Sequence, residues 1–322
     1  MATYLVTGVA GFIGSSIAHE LLRQGHNVRG VDNFITGKKE NIAEFAGRLD
    51  FLEMDICDLA GMQRVCRGVD YVFHEAALAS VPRSVKDPIS SNDSNVTGTL
   101  NILVAARDAG VKRVVYAASS SAYGDTPTLP KREDMLPNPI SPYAVSKLAG
   151  EHYMASFYRV YGLETVSLRY FNVFGPRQAA DSPYSGVLAK FITLMLEGRQ
   201  ATIFGDGEQS RDFTYIDNVV QANLRACGAP AAAVAGRMFN IALGTRFTLN
   251  QTFAALKKII GYNGNAAYGP EREGDVKHSQ ADITEARRQF GFDPKVSFEE
   301  GLDKTVAWYR TQMTQAEPAT VR

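Results

Sequence analysis

Cysteine is scarce. Cys57, Cys66 and Cys227 are the only three in 322 residues, an odd number too small for a disulfide framework, which points to a reducing, cytoplasmic compartment. Histidine is scarce too: His19, His26, His74, His152 and His278 stand at no ligand spacing from Cys, Asp or Glu, so no metal site is expected. An excess of one charge is missing. The 34 Lys and Arg balance the 34 Asp and Glu, leaving no electrostatic footprint for nucleic acid or an anionic membrane. No apolar run approaches a membrane span. Met1 leads almost directly into the first strand, so no signal peptide is expected. Repeats and low-complexity linkers are absent as well. The remaining composition is ordinary for a soluble enzyme of one large domain or two.

What is present is concentrated first in Thr7-Gly8-Val9-Ala10-Gly11-Phe12-Ile13-Gly14. Tyr4-Leu5-Val6 before it reads as a buried strand. After it, Ile13, Ile17, Leu21 and Leu22 recur at helical spacing. Three glycines, each three positions from the last, therefore occupy a strand-to-helix turn. The tight turn, the approach of a pyrophosphate to bare backbone and close helix–sheet packing each demand glycine. The helix N-terminus then offers free N–H groups to phosphate. Val28-Arg29-Gly30-Val31 reads as the next strand, with Asp32 at its end, where a carboxylate accepts the ribose hydroxyls of NAD. Asn33 and Phe34 follow, with no arginine for a 2′-phosphate, so NAD is expected rather than NADP.

Strand and helix continue to alternate. Phe51–Met54 leads to Asp55-Ile56, Tyr71–Phe73 to His74-Glu75-Ala76-Ala77, Val114–Ala117 to Ser119-Ser120-Ser121, and Val166–Arg169 to Tyr170-Phe171-Asn172. This pattern predicts an α/β, doubly wound parallel sheet of Rossmann type, with ligands at the carboxyl edge of the strands. Asp55-Ile56 is either an adenine contact or a solvated strand end. Between Asn92 and Asp108 the spacing predicts an amphipathic helix with Val96, Thr99, Leu100, Leu103 and Val104 on its core-facing side.

Ser141-Pro142-Tyr143-Ala144-Val145-Ser146-Lys147 carries the chemistry. Ser141 suits an N-cap and Pro142 the first helical position, which sets Tyr143 and Lys147 four apart on one face. A phenol with pKa near 10 is a poor base at neutral pH. A lysine ammonium and a cationic nicotinamide nearby favour the phenolate. Ser119, at the adjacent strand end, can share the proton path.

Together, Thr7 to Gly14, Asp32, the Ser119 run with Tyr123-Gly124, Tyr143 to Lys147, and Arg169 to Asn172 resemble the extended short-chain dehydrogenase/reductase family. Within that family the chain is most similar to UDP-hexose 4-epimerases. Asn172-Val173-Phe174-Gly175-Pro176-Arg177-Gln178, Gly205-Asp206-Gly207, Arg211-Asp212-Phe213 and Arg272-Glu273-Gly274-Asp275 extend the likeness over nearly the whole chain. The resemblance implies an NAD-binding Rossmann domain at 1–172, completed by about 216–243, and a smaller α/β domain for the nucleotide-sugar at 173–215 and 244–322. It implies cofactor contacts at Gly8, Gly11, Phe12, Ile13, Gly14, Asp32, Asn33, Asp55, Ile56, Ala76, Ala77, Asn95, Tyr143, Lys147 and Tyr170. Substrate contacts are implied at Ser119, Ser120, Ser121, Tyr143, Asn172, Val187, Arg211, Arg272, Asp275 and Ser279. Guanidinium forks match phosphate oxygens, which suits Arg211 and Arg272 to the UDP diphosphate. A homodimer through a four-helix bundle, built on the helices near 92–108 and 143–161, is implied too. Val187, Leu188, Phe191, Ile192 and Met195 mark a helix before Gly198, Ala201–Phe204 a short strand, and 311–322 a frayed tail.

The expected reaction has Tyr143 remove the proton from the sugar 4-hydroxyl while Ser119 bonds that oxygen and Lys147 holds the nicotinamide ribose. Carbon 4 gives hydride to NAD and takes it back on its other face, so NAD stays tightly bound. Three positions depart from family patterns. Ser120 and Ser121 stand where family dehydratases carry an acidic pair, which argues against elimination. Ala79 replaces a lysine that some epimerases place near the cofactor. Ser279 stands at a gate position where a bulky tyrosine accompanies enzymes limited to glucose and galactose. A small residue leaves room for an acetamido group, so UDP-N-acetylglucosamine/UDP-N-acetylgalactosamine is expected, with UDP-glucose/UDP-galactose also open. A UDP-uronate epimerase, decarboxylase or 4-ketoreductase, and a non-catalytic NAD sensor, are the rival readings.

Overall fold

The computed structural model describes residues 1–180, 186–271 and 276–316. Strands β1 (Thr3–Thr7), β2 (Asn27–Asp32), β3 (Leu49–Glu53), β4 (Tyr71–His74), β5 (Arg113–Ser119) and β6 (Glu164–Tyr170) follow in chain order. Short strands β7 (Asn172–Phe174), β8 (Thr202–Phe204), β9 (Ser210–Arg211) and β10 (Phe213–Tyr215) come next, then β11 (Arg237–Ile241), β12 (Phe247–Thr248) and β13 (Ala267–Gly269). Seven of them form one sheet in the order β11–β6–β5–β4–β1–β2–β3, every neighbouring pair parallel. Chain order reverses between β1 and β4, which makes that crevice the topological switch point where open α/β sheets take ligands.

The sheet is parallel because its strands are apolar on both faces. Side chains alternate along a strand, and both sets here are buried. Leu5, Val72, Val114 and Ile102 pack on one side of the sheet. Val6, Ile17, Phe73 and Val115 pack on the other. β5 is buried at all seven positions. Helices must therefore cover both faces. Phe12–Arg23 and Ile216–Gly228 cover one, Gly98–Asp108 and Pro142–Tyr161 the other.

Beyond β6 the alternation is interrupted until the helix Ile216–Gly228 and β11 resume it. Three two-stranded ladders, β7 with β10, β9 with β12 and β8 with β13, replace it. Aromatic packing joins the first two of them to the helix Phe298–Ala316: Phe298 stacks on Phe247 at 4.2 Å and on Phe213 at 5.3 Å, and meets Phe174 edge-on. Such rings bury large areas and prefer these offset geometries.

The local signals hold for the helix Pro142–Tyr161. The Ser141 hydroxyl accepts the Ala144 N–H, Pro142 opens the first turn, and Gly162 closes it in the left-handed region at φ 73°. Two expectations need correction. The single helix over 92–108 is in fact a helix Pro88–Asn92, a π turn Asp93–Thr97 and a helix Gly98–Asp108. The wide turn carries Asn95, whose carboxamide is buried and tied to Leu78 and Ser146, and those bonds hold the extra residue in place. Of the expected stripe, Thr99 and Leu103 are buried, while Val96, Leu100 and Val104 stay half-buried. The tail correction concerns 311–316, which continue the last helix to Ala316. Extending a formed helix costs little once packed turns have nucleated it, and the Thr311 and Thr314 hydroxyls bond carbonyls one turn back.

A Cβ on Gly14 would overlap the Gly8 carbonyl, and backbone must move to admit it. Gly14→Ala is therefore expected to cost about 1–3 kcal/mol, read as a lower urea midpoint. An unchanged midpoint would contradict this packing.

Candidate active site

The glycine turn meets three separate demands. Gly8 has φ +67°, and a Cβ there would lie 2.8 Å from the Ala76 backbone. Gly14 lies against Gly8. Gly11 is different: its Cβ would meet only the Gly8 carbonyl, at 3.0 Å, so its open side is free for a ligand. The helix Phe12–Arg23 begins there with no side-chain cap and no acid in its first turn. By helix geometry its first N–H groups lack partners inside the helix, and they aim a positive dipole end outwards.

These residues line a cavity of about 600 Å³. Asp32, Asn33, Met54, Ile56, Glu75, Ala76 and Ala77 also line it. Asp32 accepts the Ala10 N–H at 2.9 Å and the Phe34 N–H at 2.8 Å, so its carboxylate shapes the groove as well as facing it. Burial pushes its pKa up, against those N–H bonds. Asp55 lies outside the lining. It is exposed, and accepts the Cys57 N–H at 2.8 Å and the Asn33 amide at 2.9 Å. Asn95 is 1% exposed and its carboxamide is spent on Leu78 and Ser146, so it clamps the groove wall rather than facing the cavity. The cradle fits a dinucleotide: bare Gly11, unpaired N–H groups for the diphosphate and a carboxylate at the end of β2.

Ser119 ends β5, and Tyr143 and Lys147 come from the helix packed over β5 and β6. The Tyr143 backbone N–H bonds the Ser84 hydroxyl at 3.0 Å, which fixes the start of that helix. The Ser119 side chain accepts from the Ser121 hydroxyl at 2.8 Å. Burial raises the Tyr143 phenol pKa, and the neighbouring Ser119 pulls it down. Lys147 is 3% exposed, with Nζ 4.8 Å from the centre of the Tyr116 ring. Burial pushes its ammonium down to about 8, opposed by Glu75 and Glu151.

Two carboxylates stand by this lysine. Glu151 is paired bidentately with Arg169 at 2.7 and 2.8 Å, both groups buried, with Arg169 over the Tyr123 ring. Glu75 Oε1 accepts the Tyr170 hydroxyl at 3.1 Å, and Tyr170 also bonds Asn223. The sequence pattern did not single out Glu75, because its hydrogen-bond partner Tyr170 lies 95 residues along the chain. Lys38, Arg83 and Arg177 also line the cavity without a local signal.

At the far end, the Asn172 amide bonds Ser279 Oγ and the Asp212 carbonyl, each at 3.3 Å. Asp212 is fully buried and accepts the N–H groups of Leu243, Gly244 and Ala281 at 2.9 to 3.1 Å. Arg211 donates to the Ser210 and Lys277 carbonyls, and lines a second, smaller cavity with Phe204, Gln209 and Lys277. Val187 opens the helix Val187–Leu196, half-buried, and Ser120 and Ser121 are half-buried in the turn after β5. Arg272 and Asp275 lie outside the described residues.

The model of the NAD dependent epimerase/dehydratase family matches residues 4–242. A UDP-glucose 4-epimerase of Mycolicibacterium smegmatis is 40% identical over 313 residues, 96% of this chain and 98% of its own length. The structure of the UDP-glucose 4-epimerase of Thermotoga maritima with UDP-glucose superposes with TM-score 0.92 at 42% identity, covering 97% of this chain and 99% of that one. The UDP-N-acetylglucosamine 4-epimerase of Methanobrevibacter ruminantium, in complex with UDP-N-acetylmuramic acid, gives TM-score 0.91 at 40% identity over 97% and 99%.

Arg169→Met leaves Glu151 as a buried, unpaired carboxylate, and is expected to cost about 3–5 kcal/mol in chemical denaturation. Adding Glu151→Met should recover most of that loss. If the single variant is as stable as the parent, the pair does not carry this charge.

Proposed function

The chain belongs to the NAD dependent epimerase/dehydratase family, and from that premise we propose that it interconverts a UDP-hexose with its 4-epimer, first of all UDP-N-acetylglucosamine with UDP-N-acetylgalactosamine. The observation that carries the reading is Ser119 at the end of β5 beside Tyr143, with Lys147 one turn on along the same helix, next to a glycine-cradled groove. On this reading residues 1–172 with 216–243 hold NAD, and 173–215 with 244–322 hold the UDP-sugar.

Tyr143 takes the proton of the sugar 4-hydroxyl, and Ser119, beside the phenol, steadies the same oxygen. Lys147 supplies a positive charge that favours the phenolate. Bound NAD supplies the hydride acceptor and later the donor. The 4-keto sugar turns between the two transfers, and Tyr143 returns its proton to the new 4-hydroxyl. Gly11 and the first turn of Phe12–Arg23 hold the cofactor diphosphate and Asp32 its ribose, which keeps NAD in place between turnovers. Arg211, with Arg272, Asp275, Asn172 and Val187, holds the UDP end.

Ser279 supports the acetamido choice. Its small side chain is bonded to Asn172 and brings no ring to that position, which leaves room there for a 2-acetamido group. Half-buried Val96, Leu100 and Val104 follow one another at i, i+4 and i+8 near Tyr153, and Val145, Val160 and Tyr161 are exposed. These apolar residues suit a homodimer through a four-helix bundle. Three free cysteines suit a reducing cytoplasm.

Proton NMR of the protein with UDP-N-acetylglucosamine and no added cofactor is expected to show the 4-epimer forming. Conversion of UDP-glucose alone would discard the Ser279 argument, and conversion of neither would point to uronates or ketosugars. Tyr143→Phe should lower kcat by about 10²–10⁴-fold; near-full activity would remove Tyr143 from its role. Ser279→Tyr should lower kcat/KM for the acetamido sugar relative to UDP-glucose by about tenfold or more, and an unchanged ratio would reject the gate.

A further inference from the structure

Among the described residues, Glu75 is a carboxylate at this end of the groove that forms no ion pair with an arginine, unlike Glu151. It follows β4 directly and lines the groove between Gly8 and Ala76. Its Oε1 accepts the Tyr170 hydroxyl at 3.1 Å, and Asn223, from the helix Ile216–Gly228, donates to the same hydroxyl at 2.8 Å. Its Oε2 is buried and has no hydrogen-bond partner. A buried acceptor without a donor costs stability, so the placement calls for a compensating role.

The groups around Lys147 suggest that role. Glu151 comes from its own helix, and the Tyr116 ring of β5 lies 4.8 Å from its Nζ; Tyr116 stands opposite His74 at the end of β4, and Glu75 follows His74. His74 is kept neutral by burial, its pKa pushed down to about 3. Glu151 is committed to Arg169 by two bonds. The carboxylate of Glu75 is left as the uncommitted counter-charge to the lysine.

We propose that Glu75 is a positioning residue, which holds the Tyr170 hydroxyl under the groove with one oxygen and keeps the Lys147 ammonium charged with its carboxylate. The proposal rests on the reading of Tyr143 and Lys147 as the reacting pair. Burial raises the Glu75 carboxyl to about 7, with Tyr170 and Lys147 pulling it down. Its support for the lysine is therefore present above neutral pH and fades as pH falls and the carboxyl takes a proton. A neutral glutamine reproduces the protonated acid at every pH. It keeps an acceptor for Tyr170, so the fold has no reason to fail.

Two measurements test this. In ¹³Cε-lysine-labelled protein, with the Lys147 signal assigned by its loss in Lys147→Arg, Glu75→Gln should lower the Lys147 titration midpoint by about one pH unit. Glu75→Asp, which keeps the charge, should restore most of it. In turnover, the Glu75→Gln to parent kcat ratio should lie near one at about pH 6 and fall by about threefold to tenfold by about pH 8.5. A merely structural residue would lower the ratio equally at both. An unmoved Lys147 midpoint, or a ratio independent of pH, overturns the proposal. A moved midpoint in a protein that turns over no UDP-sugar upholds the Glu75–Lys147 coupling and removes the epimerase reading instead.

Discussion

The turn after β1 and the turn after β4 touch, backbone to backbone, and the rest of the site depends on that contact. A Cβ on Gly8 would stand 2.8 Å from Ala76. Thr7 stitches the same junction, its hydroxyl bonding the Ala76 N–H at 3.2 Å and the His74 ring at 2.7 Å. With the two turns this close, no side chain separates Gly8 from the Ala76 backbone at the switch point. Since every strand of the seven-stranded sheet runs parallel, Asp32, Glu75, Ser119 and Tyr170 all emerge at the same edge.

The second constraint is electrostatic. A lysine buried to 3% exposure is costly unless compensated. Here the compensation is distributed: an aromatic ring beneath, one carboxylate tied to Arg169, and another at the groove wall. Removing water strengthens each of these interactions, which is also why each is needed. The end of the site around Asn172 is built differently. Asp212 spends its carboxylate on three backbone N–H groups from two loops, and its own backbone then meets Asn172 and Ser279. It fixes the shape of the loop that carries Ser279.

Features whose physics is local were legible in the chain. The glycine spacing, the Ser141 cap, the Tyr143/Lys147 pair and the polar strand ends all involve residues within a few positions of each other. The π turn at Asp93–Thr97 was not legible, because bonds to Leu78 and Ser146, 17 and 51 residues away, hold Asn95. The last helix ran on past Thr311 because packing nucleates it upstream. Glu75 reads as an ordinary strand-end residue until Tyr170 and Lys147 arrive beside it. Arg177 adopts φ 71°, rare for a residue with a side chain, and reaches Glu44 at 3.2 Å and the groove; nothing in its neighbours announces this.

The sequence by itself determined the parallel α/β sheet, the glycine turn after β1 and the placing of Tyr143 and Lys147 four apart on one helix. Each follows from short-range periodicity, from glycine's backbone freedom and from spacing along a helix. Only the tertiary structure decided which polar groups face the groove and which are spent holding it. Hydrogen-bond capacity is finite, and partners at |i−j| of 17 to 95 claim it: Asn95 is used up by its neighbours, while Glu75 Oε2 is left open.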